Sequence, residues 1–162
     1  MRHTISILVD NESGVLSRIS GLFSARGFNI ESLCVAETLE PETSRITLVT
    51  SGDDNIIGQI IKRFNNMVNV IKVNDMTEET RVEREMVLIR VEANKETRAE
   101  IFRIVDIFRA KVVDVGQKNY MLELTGDQEK ITAFIDLIRP NGIKEIARTG
   151  TVALTREIQK KS

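Results

Sequence analysis

The amino-acid sequence predicts an α+β protein built from two tandem ferredoxin-like βαββαβ domains. Short runs with alternating apolar residues read as strands, and between them apolar residues recur at three- and four-residue spacing, as on helices. The whole order of runs then occurs a second time along the 162 residues. Two helices on one face of a four-stranded antiparallel sheet is the arrangement that this order forms.

The first copy opens with residues 3–10 (HTISILVD), a strand with Ile5, Ile7 and Val9 on one face. Val15, Leu16, Ile19, Leu22 and Phe23 mark a helix over 15–26, and Gly27 is placed to stop it in a left-handed turn. Phe28 to Leu39 read as extended, Glu40-Pro41-Glu42-Thr43 as a turn, and Arg45 to Thr50 as a third strand. After Gly52-Asp53-Asp54, Ile56, Ile57, Ile60, Ile61 and Phe64 define a second helix, with the acidic pair as its cap and dipole partner. Val68 to Val73 form the fourth strand. A charged stretch from Asp75 to Arg84 follows, and the pattern restarts.

In the second copy Met86 to Ala93 is a strand, and Ile101, Ile104, Val105 and Phe108 define a helix. Lys111 to Val115 and Tyr120 to Thr125 are strands around a turn at Gly116. Ile131, Phe134, Ile135 and Ile138 define a helix that Pro140 ends, and Ile143 to Leu154 contains the last strand. The expected domains are residues 1–77 and 78–162. Each has roughly 80 residues, small enough that burying further surface in an oligomer would help its stability.

Composition narrows the function. Net charge is −1, so no field draws the chain to nucleic acid or an anionic membrane. No apolar run approaches the ~18 residues of a membrane span. The chain enters its first strand at once, leaving no room for a targeting peptide, and the cytosol is the expected compartment. One cysteine, Cys34, precludes an internal disulfide and a cysteine-based zinc cage; flanked by Leu33 and Val35, it reads as a buried structural thiol. His3 is the only histidine, so no Ser-His-Asp, Cys-His or histidine–metal set can be assembled; it reads as a surface histidine. There is no phosphate-binding GxxxxGK[ST] or GxGxxG. A catalytic role is not expected, nor any cofactor or metal on this chain.

A loop, an edge and a helix face remain. Asp10-Asn11-Glu12-Ser13-Gly14-Val15-Leu16 joins the first strand to the first helix, where Gly14 allows close backbone approach and helix amides point outward. That geometry suits a carboxylate, and the Asn11 carbonyl can accept from an ammonium group, as on a free amino acid. The plainer reading is a strand-to-helix turn capped by Asn11 or Ser13. The second strand, Phe28 to Glu37, falls on a sheet edge with no Lys or Pro to blunt it and apolar residues on both faces. Two copies of the chain pairing along it would bring a loop of one to the region of Asn29 of the other. The outer face of the first helix, Ser17, Ser20, Gly21 and Ser24, is smooth enough to pack on another subunit.

These segments resemble the ACT domain of acetohydroxyacid (acetolactate) synthase small subunits. The resemblance covers Asp10 to Arg18 and Leu22 to Leu33 (LFSARGFNIESL), then Ser44-Arg45, Val82-Glu83-Arg84-Glu85, Ile107-Phe108-Arg109 and Glu145 to Gly150. It implies a catalytic large subunit as partner, using thiamine diphosphate, Mg²⁺ and FAD, which the small subunit activates and makes inhibitable by a branched-chain amino acid, usually valine. It implies a homodimer through the ACT domains. Asn11 and Gly14 are then expected to bind the effector backbone, beside Val15 and Leu16. Asn29 and Ile30 would contribute from the neighbouring protomer, and Val35 and Ala36 would line the side-chain pocket. The second domain has Ala93-Asn94-Lys95-Glu96-Thr97 in place of the glycine loop and reads as a degenerate copy. Two alternatives stand beside this: a stand-alone ACT-type sensor with another partner, and an RNA-recognition module. The second lacks the aromatic strands and basic surface such modules need.

Overall fold

The computed structural model describes residues 1–157 of the chain. Its strands and helices fall in the order βαββαβ twice, followed by one further strand. The chain divides into two units: Met1–Val82 together with the segment that begins at Thr151, and Glu83–Gly150. The dividing line thus falls a few residues beyond 77, and residues from Thr151 belong with the first unit instead of the second.

In the first unit, β1 (Arg2–Asp10), β2 (Ile30–Glu37), β3 (Thr43–Ser51) and β4 (Val70–Asp75) form an antiparallel sheet in the order β2-β3-β1-β4. Helices α1 (Val15–Ser24) and α2 (Asp54–Asn65) are its partners. Alternation in β1 sends Ile5, Ile7 and Val9 to the helix side, where Ile46 and Leu48 of β3 lie opposite Ile7 and Ile5. Val15, Ile19 and Phe23 of α1 and Ile57, Ile60 and Phe64 of α2 close the same core, with the Phe23 and Phe64 rings 5.6 Å apart. Gly27 takes φ +72° after α1, and the Phe28 amide reaches back to the Phe23 carbonyl (3.0 Å), the left-handed stop that the sequence predicts. Asp53 caps α2 by accepting from the amides of Asn55 (3.0 Å) and Ile56 (3.2 Å).

The opposite face of this sheet is partly covered by the unit's own chain. The stretch expected to hold one last strand holds two, β8 (Ile143–Arg148) and β9 (Val152–Thr155), because Gly150 at φ +81° turns the chain between them. Thr151 donates its amide to Ser32 Oγ of β2 (2.8 Å), and Thr151, Ala153 and Met76 are buried with Thr4, Ser6, Thr47 and Val49 of the sheet.

The second unit carries β5 (Arg81–Glu92), α3 (Arg98–Phe108), β6 (Lys111–Val115), β7 (Asn119–Gly126), α4 (Gln128–Ile138) and β8, with sheet order β6-β7-β5-β8. As expected, α4 ends at the proline: its last residue is Ile138, and Pro140 lies in the 3-10 turn that follows. Val87, Ile89 and Val91 face Ile101, Ile104, Ile131 and Phe134 in a core that shares no residue with the first. Glu85 is buried and accepts two bonds from Arg148 (2.7 and 3.0 Å), which raise the affinity of that guanidinium for its proton.

Two separate cores make a large-to-small substitution local. Phe64→Ala removes a fully buried ring and should destabilise the first unit by about 3–5 kcal/mol. Hydrogen exchange is expected to show protection falling across β1 and β3 while β5 and β7 keep theirs. Equal loss in both sheets would mean that the units unfold together.

Candidate functional site

The loop between β1 and α1 is held open by the backbone. Gly14 sits at φ +84°, ψ −10° and begins α1 with no side-chain cap and no acidic residue in the first turn. Neither Asn11 nor Ser13 caps the helix. The other α-helices differ. Asp53 caps α2, Asp127 Oδ1 accepts from the Lys130 amide of α4 (2.9 Å), and before α3 the Asn94 side chain accepts from the amides of Glu96 and Thr97 (2.9 Å each). Neither α1 nor α3 has a side-chain cap on its first helical amides, and α1 alone among the four lacks both such a cap and an acidic residue in its first turn. In the second unit the equivalent loop is closed by its own asparagine.

Asn11 is placed by what its nitrogens donate to. Its amide bonds the Glu42 carbonyl (2.7 Å), and Nδ2 donates to the Pro41 carbonyl (2.9 Å) and Glu37 Oε1 (3.2 Å). With its donors committed, Asn11 turns its carbonyl oxygen elsewhere, free to accept. Arg18, one turn along α1, lays its Nε 3.4 Å from the Gly14 carbonyl and adds positive charge over the helix start. Its four-residue spacing from Gly14 is a signal the sequence contains. Glu37 comes from another strand, and nothing local points to it.

The remaining candidates divide. Val15 is buried in the core, whereas Leu16 is exposed beside the loop. Val35, 41% exposed, and Ala36 lie at the loop end of β2, next to Glu37. Ile30 is half-buried against the core at the other end. Asn29 is exposed there too, with its carbonyl accepting from Thr50 Oγ1 (2.7 Å). Register fixes how far apart these ends are. Asp10 pairs with Thr43 and Glu37 with Ser44 at one end of β3; Arg2 pairs with Ser51 and Ile30 with Thr50 at the other. The strand length, at about 3.3 Å per residue, puts roughly 25 Å between Asn29 and the Gly14 loop. One chain does not bring them together.

β2 is an outer strand of its sheet, as expected. Cys34, in its middle, is half-buried, not enclosed. On α1 the hydroxyls of Ser20 and Ser24 donate to the carbonyls of Ser17 (3.1 Å) and Ser20 (3.3 Å), which leaves the outer face smooth.

His3 overturns the expectation of a surface histidine. It is 5% exposed, with Nε2 2.9 Å from Asp54 Oδ1 and Nδ1 3.3 Å from both Asp75 Oδ2 and Thr77 Oγ1. The ring ties the first strand to the start of α2 and the end of β4. Its hydrogen bond, with help from the Met1 ammonium, holds the Asp54 carboxyl below the usual carboxylate value. Sequence spacing gave no sign of this, because both aspartates are more than fifty residues away.

The fold and the loop define a tandem ferredoxin-like protein of the ACT type. Residues 5–72 match the family described as "AHAS small subunit-like ACT domain", and residues 84–157 the family "Small subunit of acetolactate synthase". The chain is 53% identical over 156 residues to a probable acetolactate synthase small subunit of Archaeoglobus fulgidus, covering 96% of this chain and 98% of that one. It is 48% identical to the acetolactate synthase small subunit of Aquifex aeolicus, covering 97% and 82%. The crystal structure of the Thermotoga maritima small subunit superposes with a TM-score of 0.87 at 43% identity, over 98% of this chain and 99% of that one. The chain belongs to the acetolactate synthase small-subunit family: it is a regulatory chain of branched-chain amino-acid biosynthesis and not itself the catalyst.

Proposed function

We propose that this chain binds the catalytic large subunit of acetolactate synthase, raises its activity, and makes it inhibitable by a branched-chain amino acid, with valine the first choice. Two chains pair along β2 across a twofold axis, and the effector sits where the Gly14 loop of one meets Asn29 and Ile30 of the other. The observation that carries this reading is the uncapped start of α1 beside an oriented Asn11, on the loop end of an edge strand. A carboxylate takes the α1 amides, an ammonium group takes the Asn11 carbonyl, and Val35 and Ala36 face the aliphatic side chain. Antiparallel pairing of β2 supports the same site, since it sets the Asn29 end of one strand beside the Glu37 end of its mate. Thiamine diphosphate, Mg²⁺ and FAD belong to the large subunit, and the complex works in the cytosol.

Inhibition follows from linkage. The effector favours one arrangement of the regulatory dimer only through a difference in affinity, typically worth about 1–3 kcal/mol, and the large subunit reads that shift. The test is acetolactate formation by the large subunit with and without this chain while valine is titrated. Higher activity with the chain, and valine inhibition only in its presence, is expected. No change in either would favour a stand-alone sensor with another partner. A hydrogen bond to a charged group contributes about 1.5–3 kcal/mol, so Asn29→Ala should weaken valine binding about tenfold or more. An unchanged calorimetric isotherm would remove Asn29 from the site.

A further inference from the structure

We propose a second small-molecule site on the face of the first sheet that points away from its helices, for a short-chain organic carboxylate held between Arg45 and Lys72. A cavity of about 180 Å³ opens there, with Ser6 and Leu8 as its floor and Met76 and Leu154 at its sides. Its volume equals that of about six waters at roughly 30 Å³ each, which suits a carboxylate bearing a few carbons.

Register makes the two cations a pair. Leu8 of β1 lies opposite Arg45 on β3 and Lys72 on β4. One strand therefore separates them, about 10 Å between backbones at the usual strand spacing. Arg45 Nη1 donates to the buried Ser6 Oγ (2.8 Å), which fixes the guanidinium against the sheet and leaves the rest of its donors over the cavity. Several basic residues elsewhere sit against carboxylates: Arg2 with Glu31, Arg90 with Glu145, Lys144 with Glu92, Arg148 with Glu85. Among the described residues neither Arg45 nor Lys72 has such a partner, and the nearby Glu79 accepts from Asn74 instead (3.3 Å). Two like charges held side by side over a walled cavity attract an anion. The walls choose its kind. Leu8 and the 61%-exposed Leu154 offer apolar surface to a hydrocarbon tail, which inorganic phosphate does not have. Leu154 and Thr155 belong to β9, so an occupant would also fasten that strand to the sheet. This site uses no residue of the Gly14 loop.

The experiment is calorimetric titration of the full-length dimer with isovalerate as probe, beside 3-methylbutan-1-ol as its uncharged counterpart and inorganic phosphate as a tail-less anion. Isovalerate is expected to bind, and the other two at least tenfold more weakly. Arg45→Gln and Lys72→Gln should each weaken isovalerate at least tenfold, with Gly14→Asp unchanged. Lys72 is exposed, so K72Q carries the test if R45Q fails to fold. No isovalerate binding, equal binding of phosphate, or binding lost in G14D and kept in K72Q would each overturn the proposal.

Discussion

Gly14→Asp should abolish valine inhibition while leaving activation of the large subunit in place. The concentration for half-inhibition is expected to rise a hundredfold or more. A β-carbon built at Gly14 meets nothing within 4 Å, so the substitution introduces no clash. The backbone cost is that of a left-handed residue, φ +84°, and aspartate tolerates this region better than most side chains. What changes is the ligand's place. The new carboxylate can take the unclaimed α1 amides itself, as Asp53 does for α2, and it repels the effector's carboxylate. Two unit charges about 4 Å apart at an effective dielectric of 20 repel by about 4 kcal/mol, enough for more than a hundredfold. Gly14→Ala, which carries the same strain without the charge, should shift the midpoint far less. Equal effects of G14A and G14D would attribute the loss to backbone strain. Full valine sensitivity in G14D would remove the loop from the site.

Most of the fold was legible because it rests on local periodicity. The Ile5, Ile7, Val9 alternation and the Ile57, Ile60, Phe64 spacing each name a buried face without reference to the rest of the chain. Gly27 and Asp53 are local signals as well, and both act as the sequence reading has them. Misreadings gather where distant segments decide the outcome. His3 is buried by Asp54 and Asp75, and a strand start with one polar ring carries no trace of them. Gly150 turns the chain within what reads as one strand, and β9 then packs with the first unit, so the boundary expected from a simple tandem repeat leaves out its last segment. The same holds at the loop. Gly14 and Asn11 were visible as residue types, but that Asn11 is oriented by Glu37 and Pro41 depends on how β2 and the following turn come back beside it.

The second large effect expected is dissociation. Val35→Lys should raise the dimer dissociation constant about a hundredfold or more, read by sedimentation equilibrium, and valine binding to the isolated chain should disappear with the dimer. Val35 lies on the edge strand, 41% exposed, and is not among the residues packed on the core, so the protomer keeps its fold. Lysine is a residue that natural edge strands use against pairing. Across a twofold axis the substitution enters twice, and burying two ammonium groups costs several kcal/mol per charge. The coupling to valine comes from the roughly 25 Å between Asn29 and the Gly14 loop within one chain. If both contribute to one site, they belong to different protomers, and a monomer holds only half of it. A V35K protein that stays dimeric would place the twofold contact elsewhere than β2. A monomer that still binds valine with the parent affinity would confine the site to the Gly14 loop and take Asn29 out of it.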